Sequence, residues 1–229
     1  MYAASKSPFF DFVECNGRGY FGEGVVSSDR QPDRLAERVS LGQVGCDGLV
    51  GHEVDPALDE REGLIGGICN GYQALIKLGL VPYGRIVDPT ESSPTLTFNR
   101  LGRHQSRLVR TRVSSVLSPW LMDAEVGKVV TVAISHGEGR LVADETTLAS
   151  LAKAGQIATQ YVDAAGRASM DIDDNPNGSD WAIEGLTSPD GRVFGKMGHS
   201  ERSGNGLYVN VPGDKYQPIF EGGVNYFKL

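Results

Sequence analysis

Cysteine is scarce in this chain. There are three in 229 residues, Cys15, Cys46 and Cys69. An odd number cannot pair off completely, so a disulfide framework is excluded as the organising device and a reducing, cytoplasmic setting is expected. Long apolar runs are also missing. No stretch approaches the roughly 18 residues needed to cross a bilayer, and the opening Met-Tyr-Ala-Ala-Ser-Lys-Ser-Pro has no apolar h-region, so neither a membrane span nor a secretory signal is expected. Cationic excess is absent. Lys and Arg number 22 against 29 Asp and Glu, a formal charge of −7. That balance argues against a general nucleic-acid surface, which needs clustered positive charge. Paired metal-ligand spacings such as C-x-x-C or H-x-x-x-H do not occur, so no metal site is expected from the cysteines and four histidines. Internal repeats and low-complexity linkers are absent too.

What remains is ordinary globular material, 40% hydrophobic and 22% charged, long enough for one sizeable core. Thirty glycines point to many tight turns and close backbone approaches. Residues 9–13 and 47–50 read as short strands, and residues 32–39 and 56–62 as short helices. From residue 63 the pattern sharpens. Leu64–Ile68 is a continuous apolar run of strand length, and Asn70–Leu78 follows as a helix closed by Gly79 in the left-handed conformation. Thr95–Phe98, 107–113, 129–134, 157–162, 181–186 and 193–197 read as strands, and 145–154 as a helix. Asn175-Pro176-Asn177-Gly178-Ser179 is a turn, and Ser188-Pro189-Asp190-Gly191 a hairpin turn.

The chemistry concentrates at Gly67-x-Cys69-x-Gly71, the cysteine counterpart of a nucleophile elbow. A sharp strand-to-helix turn projects its central side chain and sets the sulfur at a helix N-terminus, where the dipole favours thiolate. A lone cysteine after an apolar run is otherwise a small buried hydrophobe. A cysteine nucleophile needs a base and a group that orients the base. Two histidines qualify. His199 ends a strand and has Glu201 two residues on. His136 ends another strand and has Glu138 at the same offset. His52 and His104 have no such setting and read as surface residues. Gly17-Arg18-Gly19-Tyr20-Phe21-Gly22 fits G-x-G-x-x-G, but no helical pattern follows it, so no nucleotide site is expected there. Arg103, Arg107, Arg110 and Arg112 read as a solvated strand face or a docking surface.

At this point the residues resemble a known family. Gly67-Ile68-Cys69-Asn70-Gly71-Tyr72-Gln73-Ala74-Leu75, with Leu78-Gly79-Leu80-Val81-Pro82 after it, is similar to the nucleophile segment of class I (triad) glutamine amidotransferases. More narrowly, it resembles the glutaminase module of phosphoribosylformylglycinamidine synthases. Four further segments agree in the same order. They are Ser93-Pro94-Thr95-Leu96-Thr97-Phe98-Asn99, Ile134-Ser135-His136-Gly137-Glu138-Gly139-Arg140, Asn175-Pro176-Asn177-Gly178-Ser179, and the run from Gly191 to Arg202 that contains Gly198-His199-Ser200-Glu201. The resemblance covers roughly residues 57–229.

The resemblance implies an α/β, flavodoxin-like three-layer fold around a mostly parallel central sheet. It implies a Cys69–His199–Glu201 triad that hydrolyses glutamine, which decides the histidine contest for His199. Gly67, Asn70, Gln73, His136 and Gly137 would then contact the substrate. Ammonia would pass to a separate synthase region, and ATP and Mg²⁺ are expected there, with no cofactor in this chain. Residues 1–56 depart from the family pattern. Neither its Gly-Gly-Phe-Ser-type oxyanion loop nor its first strand–helix unit is legible there, so the segment reads as divergent, attached to a 57–229 glutaminase domain. Two other readings remain: a non-catalytic binding or assembly domain on the same fold, and another Cys–His hydrolase, such as a peptidase or γ-glutamyl hydrolase.

Overall fold

The computed structural model describes residues 63–228, together with the strand backbone at β1 (Cys15–Gly17), β2 (Tyr20–Gly22) and β3 (Val25–Ser28). The expected elements at 9–13, 32–39, 47–50 and 56–62 lie outside the described residues, as does His52. β1 and β2 pair antiparallel, with Cys15 opposite Gly22 and Gly17 opposite Tyr20. Gly17 and Tyr20–Gly22 of the G-x-G-x-x-G match therefore lie in paired strands.

Eight further strands follow: β4 (Leu64–Ile68), β5 (Thr95–Phe98), β6 (Gln105–Val113), β7 (Val129–His136), β8 (Glu138–Val142), β9 (Ile157–Tyr161), β10 (Ile183–Thr187) and β11 (Val193–Lys196). The helices are α1 (Asn70–Leu78), α2 (Glu145–Lys153) and α3 (Ile219–Tyr226), and a short helical turn spans Leu80–Tyr83. The main sheet runs β3-β4-β11-β10-β9-β6-β7, and β5 pairs with β8 in a separate two-stranded sheet.

The α/β class holds, but the expectation of a mostly parallel sheet is corrected. Among the described strands only β4 and β11 run parallel. The other neighbours in the main sheet are antiparallel. The reason lies in the connections. β10 and β11 are joined by the hairpin turn at Ser188–Gly191, closed by Gly191 N–H on Ser188 O at 3.0 Å, and a tight turn can join only antiparallel strands. β4 reaches β11 through more than a hundred residues, which leaves room for a crossover.

The parallel pair sits between two helical layers, and its glycines show why. Successive residues of a strand face opposite sides. A Cβ on Gly67 would lie 2.6 Å from Leu75 Cδ1 and 2.7 Å from the backbone of Gly71, both on α1. Its register partner Gly195 faces the same way, and a Cβ there would lie 2.1 Å from the Tyr72 ring. Gly66 faces the other side, against Trp120, which in turn packs on Gly222 and Gly223 of α3. The main core joins both sides: Leu64, Ile65, Ile68, Tyr72, Leu75, Trp120, Phe194 and Ile219 are all buried in it. A smaller cluster of Val109, Val130, Val132, Ile134, Tyr161 and Ala182 lies under β6 and β7.

Two boundaries differ from the sequence reading. The 181–186 strand begins at Ile183, because Trp181 and Ala182 have φ of 50° and 55° and form a helical turn instead. The Trp181 indole N–H is occupied by Glu145 Oε2 at 3.2 Å. The 129–134 strand runs on to His136, and β8 starts at Glu138.

Candidate active site

Cys69 stands between β4 and α1, as the elbow pattern requires. Its backbone has φ 54° and ψ −106°, a conformation that non-glycine residues avoid and that clusters at functional turns. Two backbone bonds hold it: Cys69 N–H donates to Lys196 O at 2.8 Å, and Gln73 N–H donates to Cys69 O at 3.1 Å. The parallel strand β11 thus grips Cys69 from one side while α1 starts from the other. Asn70 is exposed at the first position of α1, where a backbone N–H has no acceptor inside the helix. Cys69 itself is 8% exposed, with Sγ 4.0 Å from Ser135 O.

His199 follows β11 and is buried. Its N–H donates to Ala133 O at 2.9 Å, forming an isolated bridge to β7. Ala133 and Ser135 lie two residues apart on β7, a rise of about 7 Å, so one strand end carries both the base and the sulfur. His199 Nδ1 and Glu201 Oε1 are 2.7 Å apart. A carboxylate only accepts, so Nδ1 carries the hydrogen and Nε2 is the basic nitrogen. Glu201 also lies 3.7 Å from Arg202 Nε. The structure therefore pairs His199 with Glu201 and sets Cys69 and His199 against the same stretch of β7, with Sγ at Ser135 O and the His199 main-chain N–H on Ala133 O.

His136 is buried in a different role. Asn99 Nδ2 donates to His136 O at 2.8 Å and to Arg103 O at 3.0 Å, which fixes Asn99 Oδ1 as an acceptor. His136 Nδ1, 3.2 Å from that oxygen, must then be the protonated nitrogen. Burial pushes its pKa down to about 4, with the neighbouring His199 and His104 adding to the effect. His136 is thus a neutral imidazole, and Glu138, the expected orienter at i+2, is exposed. The ring fits because residue 139 is glycine, where a Cβ would lie 2.8 Å from it.

The remaining site candidates divide. Gln73 Nε2 donates to Glu138 O at 2.8 Å, tying α1 to the β7–β8 turn. Gly137 accepts Asn99 N–H at 3.0 Å, and a Cβ there would meet nothing within 4 Å, so open space adjoins it. Gly67 is explained by packing against α1. His104 is exposed as expected, with Nε2 3.1 Å from Ser135 Oγ.

The sequence reading missed several supports. Asn177 Nδ2 donates to Gly139 O at 2.7 Å and Tyr161 Oη lies 3.0 Å from the same amide, while Leu141 N–H donates to Ser179 Oγ at 3.0 Å. The Asn175–Ser179 turn is therefore a prop beneath the His136 strand end. Glu184, Lys196, Ser200 and Gln217 form a buried polar group behind the triad. Only burial of Lys and Glu inside apolar strands marks it, and no sequence spacing does. The arginines of β6 are largely engaged locally: Arg107 with Asp173 O, Arg110 with Asp174, and Arg112 with Gly166 O and Gln160. Among the described residues no group of three His, Cys, Asp or Glu side chains could hold a metal, and no helix is long and apolar enough to cross a membrane.

Known proteins match this chain in sequence and in fold. The model of the family described as CobB/CobQ-like glutamine amidotransferase domain matches residues 36–227. The chain belongs to this family. Among curated relatives, the phosphoribosylformylglycinamidine synthase subunit PurQ of Salinibacter ruber is 35% identical over 170 residues, covering 74% of this chain and 66% of that protein. The PurQ subunit of Synechococcus elongatus is 35% identical over 157 residues, covering 69% and 61%. The solved structure of PurLQS from Thermotoga maritima matches with a TM-score of 0.56 and 26% identity, covering 77% of this chain and 68% of that one. The chain thus spans a little under two thirds of the length of these curated relatives.

Proposed function

We propose that this chain hydrolyses glutamine as the glutaminase module of a phosphoribosylformylglycinamidine synthase. The observation that carries the reading is the convergence at the end of β7. There Cys69 Sγ lies against Ser135 O, and His199, bonded to Ala133 O, holds its Nδ1 2.7 Å from Glu201.

His199 Nε2 takes the thiol proton, and the Cys69 sulfur adds to the side-chain amide carbon of glutamine. The oxygen becomes an oxyanion, and the Asn70 N–H, at the positive end of α1, donates to it. Collapse of the tetrahedral adduct expels ammonia, with the proton returned by His199, and leaves a thioester on Cys69. Water, deprotonated by His199, then releases glutamate. Glu201 keeps the imidazole in the required tautomer and stabilises its charged form. Gln73, His136 and Gly137 border the space beside the thiol and receive the rest of the substrate, with Gly67 and Asn70 forming the backbone side. The ammonia passes to a synthase partner, and ATP and Mg²⁺ act in that partner rather than on this chain. PurQ relatives are named as subunits of that synthase, and the Thermotoga structure is titled as PurLQS.

The test is glutamate release from glutamine by this chain, with and without a synthase subunit, against Cys69→Ala. Release above the Cys69→Ala background in either condition is expected. Release equal to that background in both conditions would overturn the reading in favour of a non-catalytic domain. Hydrolysis of γ-glutamyl peptides but not of glutamine would favour another hydrolase.

A further inference from the structure

A fully buried ion pair lies directly behind the triad, and the proposed mechanism gives it no part. Glu184 on β10 and Lys196 at the end of β11 are both 0% exposed, with Nζ 3.6 Å from Oε1. Burying two charges is costly, and such a pair is weak evidence for stability alone. Its other bonds are specific. Glu184 Oε1 accepts the Gly198 N–H at 2.6 Å, and Oε2 accepts the Thr159 hydroxyl. Lys196 Nζ donates to Ser200 Oγ at 2.7 Å and to Gln217 Oε1 at 2.8 Å. The Ser200 hydroxyl donates to the same Gln217 oxygen at 2.6 Å. Gly198 and Ser200 are the two residues flanking His199. The main-chain carbonyl of Lys196 accepts the Cys69 N–H at 2.8 Å.

One residue therefore touches both sides of the reaction. Its carbonyl fixes the nucleophile, and its ammonium fixes the residue after the base. Its counter-ion fixes the residue before the base. Gly198 has no slack to shift, since a Cβ there would lie 2.6 Å from Val132 and 2.8 Å from Glu184 Oε1. We infer that the buried Glu184–Lys196 pair, acting through Ser200 and Gly198, is a positioning device that sets His199 against Cys69. This rests on the triad reading above. Both residues are positioning residues and touch no substrate. A loop held only by main-chain bonds would let His199 drift, and a misplacement of about 1 Å costs on the order of 10²-fold in rate.

The test uses the full chain with its synthase subunit present. Ser200→Ala removes the ammonium's tie beside His199 without leaving a charge unpaired. Glu184→Gln with Lys196→Met removes both charges together, which avoids a buried lone ion. Two readouts are taken on folded protein: kcat and KM for glutamine, and the pH dependence of iodoacetamide labelling at Cys69, followed by peptide mass spectrometry. His199→Asn is the reference for a thiol that has lost its base. The expected result is a kcat lowered by about tenfold to 10²-fold with KM changed less than twofold. The labelling profile is expected to move toward the His199→Asn profile, near an ordinary thiol at about pH 8.5. Wild-type labelling and kcat in Ser200→Ala, and in the double variant where it folds, overturn the proposal alone. A His199→Asn profile identical to wild type overturns the triad and this proposal with it. If the double variant does not fold, Ser200→Ala decides.

Discussion

At the scale of single residues, the site is made by side chains whose surroundings leave them one option. Asn99 has its amide hydrogens committed to two carbonyls, so His136 has one tautomer, and burial keeps that ring neutral. Glu201 does the equivalent for His199. Tyr72 shows the opposite condition. It is buried under Gly195, its hydroxyl meets no hydrogen-bond partner among the described residues, and burial with the nearby Glu184 charge raises its pKa well above the usual range. A buried polar group without a partner costs about 1–3 kcal/mol. Tyr72→Phe is therefore expected to raise the unfolding free energy, up to that amount, with the Cys69 labelling rate retained. A denaturant midpoint below that of the wild type would refute this. The candidate residues themselves were legible in the sequence. Cys69, His199 and Glu201 could be chosen from local pattern, with the family resemblance deciding between His199 and His136. The orphaned Tyr72 hydroxyl and the Glu184–Lys196 pair were not legible, because partnership in a core depends on which strands lie side by side.

At the scale of elements, α1 sits close on β4 and β11 because Gly67 and Gly195 present no side chain of their own, leaving room for Leu75, Tyr72 and the Gly71 backbone. The two faces of β4 make a sharp contrast. Gly67→Ala would drive a Cβ into the α1 backbone at 2.7 Å, which cannot yield without moving the helix. Gly66→Ala meets the Trp120 ring at 3.2 Å, a contact that can relax by tenths of an ångström. Overpacking of the first kind costs about 1–3 kcal/mol. Gly67→Ala is thus expected to lower stability by that order and to reduce Cys69 reactivity, since α1 carries the N-terminus against the sulfur. Gly66→Ala should lose distinctly less of both. Thermal melts and Cys69 labelling rates on the pair check this, and equal losses would contradict the assignment of faces. The strands and helices from residue 63 onward were mostly readable from apolar runs and turn residues. Their directions were not. The expectation of a mostly parallel sheet came from resemblance, and the hairpin between β10 and β11 is what sets those neighbours antiparallel.

At the scale of the whole molecule, the buried His136 links folding to acidity. Its folded pKa, about 4, lies below the ordinary histidine value of 6.5. The unfolded chain therefore takes up the proton first as pH falls. The stability that His136 contributes is fully present above about pH 6.5 and is lost progressively as pH drops toward 4. Over that window the loss is about 3 kcal/mol. His136→Gln should flatten this part of the stability–pH curve, measured as urea midpoints between pH 4 and 7. An equal slope in both proteins would count against a buried neutral ring.

The sequence by itself determined the strand-to-helix turn at Cys69, the local elements after residue 63 and the family, because these depend on neighbours in the chain: apolar periodicity, glycine at tight approaches, and short motifs in a fixed order. The tertiary structure alone decided strand direction, the tautomer and charge state of His136, and the buried pair that grips both sides of His199. Those depend on groups tens of residues apart being brought within hydrogen-bonding reach in a dry interior, where a missing partner costs far more than it does in water.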